Sequence, residues 1–95
     1  MPIRVVLAED QGMVRGALAA LLEIERDLEV VGQARNGDEA VEVCLKLMPD
    51  VLITDIEMPG RTGLEVAAQV KKILPGTRIV ILTTFSRAGS LRRAL

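Results

Sequence analysis

Short apolar runs alternate with longer amphipathic stretches along this chain of 95 residues. Four runs have the length and β-branched content of strands, and they are Ile3–Ala8, Glu29–Ala34, Val51–Thr54 and Arg78–Thr83. Between and after these runs, apolar residues recur at helical spacing. The spacing predicts helices over Gly12–Glu23, from Asn36 to before Pro49, from Thr62 to before Pro75, and over Arg87–Leu95.

Capping residues support two of these helix starts. Asn36 precedes a helix whose third position is Glu39, and Thr62 and Glu65 have the spacing of a capping box. In the first helix we expect most of the apolar side chains to belong to the core, namely Met13, Val14, Ala17, Leu18 and Leu21. In the third helix the side chains expected to point inward are Leu64, Ala67, Ala68 and Val70.

The first, third and fourth strands are continuous apolar runs, which is typical of strands covered by helices on both faces. Strands that alternate with helices through right-handed crossovers form a parallel, doubly wound α/β sheet. We expect the strand order 2-1-3-4. The 95 residues leave room for one domain only.

Composition narrows the chemistry of this domain. The chain has no histidine and a single cysteine, Cys44, which excludes zinc sites and histidine-dependent nucleophiles and fits a reducing cytoplasm. Phe85 is its only aromatic residue, so flavins or single-stranded bases have no stacking platform. The net charge of −1 does not favour a nucleic-acid binder, and no apolar run approaches the ~20 residues of a membrane span.

Two strands end in carboxylates. Asp55 follows the third strand, and Glu9 and Asp10 follow the first. In open α/β sheets ligands bind beyond the carboxyl ends of strands where the strand order reverses, which here is between strands 1 and 3. We therefore expect Asp10 and Asp55 to bind Mg²⁺, Glu9 to hold a metal-bound water, and the backbone carbonyl of Glu57 to be a third ligand.

A carboxylate beside a bound cation can also attack phosphorus and form an aspartyl-phosphate, which makes Asp55 a candidate acceptor. Thr83 ends the neighbouring strand, and its hydroxyl could bond the phosphoryl oxygens. Each residue also has an ordinary explanation: Asp10 as a helix cap, Asp55 as a turn former, Thr83 as a β-favouring residue and Glu57 as a solvated charge. Their joint placement at the ends of adjacent strands favours a site.

With these motifs in view, the chain resembles the receiver domain of two-component response regulators, which has a flavodoxin-like fold. The resemblance runs from Ile3 to the last residue and rests on Ala8-Glu9-Asp10, on the segment from Asp55 to Gly60, on Gly63 and on Thr83. The details of these motifs look like the NarL/LuxR-type subfamily and closest to DesR-like regulators.

The resemblance implies a phosphoacceptor at Asp55, Mg²⁺ held by Glu9, Asp10, Asp55 and the Glu57 carbonyl, and Thr83 as the switch hydroxyl. It also implies a sensor histidine kinase as phosphoryl donor. A downstream helix-turn-helix domain would bind DNA, and phosphorylation would control its dimerisation. The family's fifth strand, with a lysine after it and an aromatic residue within it, has no counterpart in these 95 residues.

We therefore expect a receiver domain over residues 1–95 that is incomplete at its C-terminal end and lacks the effector domain. The fourth strand would then be an apolar sheet edge, which favours self-association or a homodimer. Two alternatives to a phosphorylated switch stay open. One is a receiver-like interaction module that is never phosphorylated, and the other, less favoured, is an Mg²⁺-dependent phosphotransfer enzyme.

Overall fold

The computed structural model describes residues 2–82, which form a sheet of four parallel strands in the order β2-β1-β3-β4. The strands are β1 (Ile3–Ala8), β2 (Leu28–Ala34), β3 (Val51–Asp55) and β4 (Arg78–Leu82). Both the parallel sheet and the predicted strand order are confirmed. Thr83 and the predicted helical stretch Arg87–Leu95 lie outside the described residues.

Three helices connect the strands: α1 (Gly12–Ile24), α2 (Gly37–Leu47) and α3 (Gly63–Ile73). Both predicted caps are present. The Asn36 side chain accepts a hydrogen bond from the Glu39 backbone N–H at 2.8 Å. Thr62 and Glu65 bond each other reciprocally, with N–O distances of 2.9 and 3.2 Å. Capping residues that can be recognised in the sequence thus determine where α2 and α3 begin.

One hydrophobic cluster lies between the sheet and the pair of helices α2 and α3. Val6 and Ala8 of β1 and Leu52 of β3 contribute its sheet side. The other fully or nearly buried members are Ala34, Ala40, Val41, Cys44, Met58, Val66 and Val70. Val5 and Leu7 are also buried but lie outside this cluster, as expected because successive strand residues point to opposite faces of a sheet.

The predicted inner faces of α1 and α3 are partly wrong. Of the residues that the structure describes in α1, none is buried, and Met13 and Leu21 are 91% and 61% exposed. Apolar residues occur nearly all round this helix, so their spacing does not single out one face. In α3, Leu64 is 57% exposed, whereas Val66 and Val70 are fully buried. The Thr62 cap begins the helix so that Gly63 and Val66 face inward.

Two further features bear on the sequence predictions. β4 is one of the two edge strands among the four described, the other being β2, and Val80 and Ile81 on β4 are exposed. Self-association through this edge stays a prediction. Within residues 2–82, the helices are all too short or too polar to span a lipid bilayer.

Candidate metal centre

Three carboxylates meet at the carboxyl end of the sheet. Glu9 and Asp10 follow β1, and Asp55 is the last residue of β3. The two strands are neighbours in which Ala8 pairs with Thr54, so the next residue of each strand reaches the same edge. One ligand atom from each of Glu9, Asp10 and Asp55 lies within 4.8 Å of the other two. The structure therefore brings together the three acidic side chains that the sequence singled out.

Two of these carboxylates are buried and incompletely bonded. Glu9 and Asp55 are each 1% exposed. Glu9 Oε1 accepts a hydrogen bond from the Gln11 backbone N–H at 3.2 Å. Glu9 Oε2 and both carboxylate oxygens of Asp55 are buried and have no hydrogen-bond partner within residues 2–82. Since buried polar atoms are almost always bonded in proteins, three such oxygens in one place need an explanation.

The electrostatics of the pocket point the same way. The pKa of the Glu9 carboxyl is raised from 4.5 to about 7: burial is the largest cause, the neighbouring Asp55 and Asp10 add to it, and the hydrogen bond from the Gln11 backbone N–H partly offsets it. Removing a carboxylate from water and placing it beside like charges both disfavour its ionised form. A cation among these oxygens would reverse the second effect and offset the first.

The donor set fits a hard divalent cation. All three side chains offer oxygen, the ligand atom that Mg²⁺ prefers, and Mg²⁺ commonly binds through one or two carboxylates and several waters. The orphaned oxygens of Glu9 and Asp55 are the ones that a cation or its waters would satisfy. No histidine or second cysteine is present in the chain to favour a softer metal.

The turn between β1 and α1 holds Glu9 in place through its backbone. The Glu9 N–H donates to the Ala34 carbonyl at 3.0 Å, and the Glu9 carbonyl accepts from the guanidinium of Arg15 at 2.9 Å. The sequence did not predict this contact of Arg15 with the acidic site. The only available signal was a long cationic side chain in the first turns of the helix that follows the acidic pair.

The loop from residue 56 to residue 62 connects Asp55 to α3 and contains Glu57 and Gly60. Gly63 donates its N–H to the Ile56 carbonyl at 2.8 Å. A Cβ on Gly63 would overlap the carbonyl oxygen of Asp55, so only glycine fits at this point. Glu57 lies half-buried in the loop, and the use of its carbonyl as a ligand stays a prediction. Thr83, the predicted switch hydroxyl, lies outside the described residues.

A known protein family has this arrangement. The model of the response regulator receiver domain matches residues 5–95. The chain belongs to that family. The predicted resemblance and the predicted fold class are both confirmed.

Among curated relatives, this receiver domain is 53% identical over 93 residues to the transcriptional regulatory protein YvfU of Bacillus subtilis. It is 52% identical over the same length to DesR, a transcriptional regulatory protein of that organism. Each match covers 98% of this chain but only 46% of the relative, so the chain spans about half the length of these regulators. Both relatives are named as regulators of transcription.

Solved structures agree with the fold. A DNA-binding response regulator of the LuxR family from Staphylococcus aureus superposes with a TM-score of 0.81 at 39% identity, over 97% of this chain and 77% of that one. The response regulator domain of Thermotoga maritima CheB gives a TM-score of 0.83 at 34% identity, over 97% and 72% of the two chains. The domain is thus a receiver related to the DesR and LuxR-type transcriptional regulators.

Proposed function

We propose that Asp55 accepts a phosphoryl group from a partner histidine kinase in an Mg²⁺-dependent reaction. The observation that carries the proposal is the pair of buried Asp55 oxygens without a hydrogen-bond partner in the described residues, beside Glu9 and Asp10. A carboxylate that only capped a helix or formed a turn would have its oxygens bonded to backbone N–H groups. The Asp55 carboxylate instead has both oxygens available for a cation and for a reacting phosphorus atom.

The roles of the side chains follow from this arrangement. Glu9, Asp10 and Asp55 would hold Mg²⁺, with the Glu57 carbonyl as a further ligand. When bound, Mg²⁺ neutralises the charge on the transferring phosphoryl oxygens. One Asp55 oxygen forms a bond to phosphorus while the bond from phosphorus to the donor breaks, and the leaving group keeps that electron pair. The Thr83 hydroxyl would then donate a hydrogen bond to the new phosphoryl group.

The wider role of the protein is proposed by analogy with its relatives. The matched regulators DesR and YvfU are named for control of transcription, and they are about twice as long as this chain. We infer that residues 1–95 are the receiver unit of such a regulator and act in the cytoplasm. Phosphorylation would change self-association of the receiver and thereby control a DNA-binding domain that follows it.

Intact-mass measurement with acetyl phosphate and Mg²⁺ tests the acceptor. We expect one added phosphoryl group on the wild type and none on Asp55→Asn. Asp50→Asn is a matched control, because Asp50 directly precedes β3 at the opposite end of the strand, where its carboxylate accepts from the Arg4 backbone N–H at 2.8 Å. That variant should be phosphorylated like the wild type.

Several outcomes would contradict the assignment. A phosphoryl group that still adds to Asp55→Asn would identify a different acceptor. A wild type that gains no mass, both as these 95 residues and in a chain extended through a fifth strand, would remove the phosphoacceptor function. Omitting Mg²⁺ or adding EDTA should abolish the reaction, and an unchanged rate without the metal would contradict the role of the three carboxylates.

A further inference from the structure

We propose that Gly37, the first residue of α2, is a positioning residue for the metal centre because it supports the loop that follows Asp55. This inference rests on the proposed Mg²⁺ site. It assigns a role to a residue that lies on a different element from the three carboxylates and contributes no side chain. The support is steric: the loop lies where any side chain at position 37 would have to be.

The start of α2 and the loop are in direct backbone contact. A Cβ on Gly37 would lie 2.5 Å from the carbonyl oxygen of Arg61 and 2.6 Å from its Cβ, closer than the 3.0 Å that real Cβ atoms respect. The Gly37 N–H also points to the Pro59 carbonyl at 3.5 Å. The atoms in the way are mainly backbone, so rotation of a side chain cannot relieve the overlap. A larger residue at position 37 must displace the loop or α2.

An ion pair joins the same two segments at the surface. Asp38 Oδ1 lies 2.9 Å from Arg61 Nε, and the two side chains are 73% and 41% exposed. Exposed pairs of this kind contribute little free energy, so this pair adds to the contact without creating it. The close approach permitted by Gly37 is therefore one of the links between α2 and the loop; another is Met58, which is buried in the hydrophobic cluster with α2 residues such as Val41.

A displacement of the loop at Arg61 is expected to shift the part of the loop that lies next to Asp55 as well. Gly63, two residues after Arg61, is packed against the Asp55 carbonyl and donates its N–H to the Ile56 carbonyl at 2.8 Å, which joins the two ends of the loop. Glu57, whose carbonyl is a proposed ligand, lies between Ile56 and Arg61. A shift of the loop therefore moves that ligand relative to Asp55, and metal affinity depends on such supporting contacts.

Glycine-to-alanine substitutions with matched controls test the inference. Gly37→Ala should lower Mg²⁺ affinity about tenfold, the size typical of lost supporting contacts around a metal. Gly16→Ala is the control for helix propensity, since a Cβ on this α1 residue meets no described atom within 4 Å. Gly32→Ala is the control for general destabilisation, since its Cβ would lie 2.8 Å from Leu47 and 2.9 Å from Val43 side-chain atoms in the core.

The readouts are an NMR titration of backbone amides with Mg²⁺ alone and the thermal midpoint by circular dichroism. Gly32→Ala should lower the thermal midpoint and leave the Mg²⁺ affinity unchanged. Gly16→Ala should lower neither the thermal midpoint nor the Mg²⁺ affinity. Equal affinity in Gly37→Ala and wild type would overturn the inference. A wild type that binds no Mg²⁺ would instead overturn the proposed function, so the two failures are distinguishable.

A second variant covers the case in which Gly37→Ala does not fold. Arg61→Ala removes an exposed side chain and the ion pair to Asp38, and it should fold. The Arg61 carbonyl oxygen and Cβ that face Gly37 are both retained in alanine, so the contact with α2 persists and Mg²⁺ affinity should change by no more than about twofold, as expected for one exposed pair. A loss of about tenfold or more in Arg61→Ala would place the link between α2 and the loop in the ion pair and contradict the inference.

Discussion

The hydrophobic cluster and the candidate metal centre lie a few residues apart on the same two strands, yet they are built on opposite principles. In the cluster, Val6 and Leu52 are fully buried among apolar neighbours from α2 and α3. In the candidate metal centre, Glu9 and Asp55 are just as buried but have carboxylate oxygens without partners in residues 2–82. Burial of apolar side chains stabilises the fold, whereas burial of unpaired carboxylates destabilises it.

The contrast explains how a domain of 95 residues can maintain a site whose buried carboxylates lower its stability. The last residue of each apolar strand lies at the sheet edge with little conformational freedom, because the residues before it are packed in the cluster. Asp55 is held by Leu52 and Thr54 below it and by Gly63 against its carbonyl. The stability of the cluster thus maintains an arrangement of charges that the isolated carboxylates would not adopt.

The largest expected effect separates buried from exposed apolar residues of the same type. Leu52→Ala should lower the free energy of unfolding by about 2–5 kcal/mol, since it removes a fully buried side chain and leaves a cavity between the sheet and α2 and α3. Leu21→Ala on α1, where the side chain is 61% exposed, should change it by less than about 0.5 kcal/mol. Urea unfolding followed by circular dichroism measures both.

Equal losses in the two leucine variants would contradict the assignment of the core to the α2 and α3 side. The measurement is best made on the monomer at low concentration, since α1 presents Met13 and Leu21 to solvent and self-association would protect them. A loss for Leu21→Ala that grows with protein concentration would indicate burial between copies rather than within one.

Some features of these two regions follow from the sequence, and others do not, for physical reasons. The strands, their order and the capped starts of α2 and α3 follow from local patterns and general rules of chain connection, and the structure confirms them. The convergence of Glu9, Asp10 and Asp55 was also predictable, because residues that end neighbouring parallel strands must share an edge.

Other features could not be derived from spacing alone. The inward face of α1 was mispredicted: Met13 and Leu21 are exposed, and apolar residues, including the alanines, occur nearly all round this helix. The contacts of Gly37 with Arg61 and of Arg15 with the Glu9 carbonyl join elements that are distant in sequence or depend on side-chain conformation. No local pattern encodes such distances.

The second effect concerns pH in the absence of metal. Because the folded pKa of Glu9 is raised to about 7 from 4.5, the folded protein binds this proton more tightly than the unfolded chain. The stabilisation is complete below about 4.5 and is lost as pH rises through about 7. In EDTA, the free energy of unfolding should fall by about 2–3 kcal/mol between pH 5 and pH 8, at about 1.4 kcal/mol per pKa unit.

Histidine titration does not interfere with this measurement, since the chain has no histidine. Glu9→Gln is the matched control: it keeps the shape of the side chain, and its stability should be nearly independent of pH over this interval. Saturating Mg²⁺ should reduce the loss in the wild type by favouring the charged carboxylate. A wild type that gains stability with pH in EDTA would show that the Glu9 carboxyl is not held in an unfavourable environment.

The smallest effect tests whether the two regions are joined through the start of α2. The Asn36 side chain caps this helix at 2.8 Å from the Glu39 N–H, while Ala40, Val41 and Cys44 further along belong to the hydrophobic cluster. Asn36→Ala should cost about 1 kcal/mol of stability by removing the cap, and Asn36→Asp should retain most of the stability that the cap contributes.

Because the first turn of α2, which frays when the cap is lost, includes Gly37, Asn36→Ala should also bind Mg²⁺ more weakly than the wild type. The loss of affinity should be smaller than that of Gly37→Ala. Amide titration with Mg²⁺ at a temperature where both variants are folded measures this; a loss of stability with unchanged Mg²⁺ affinity would mean that the first turn of α2 belongs to the cluster alone.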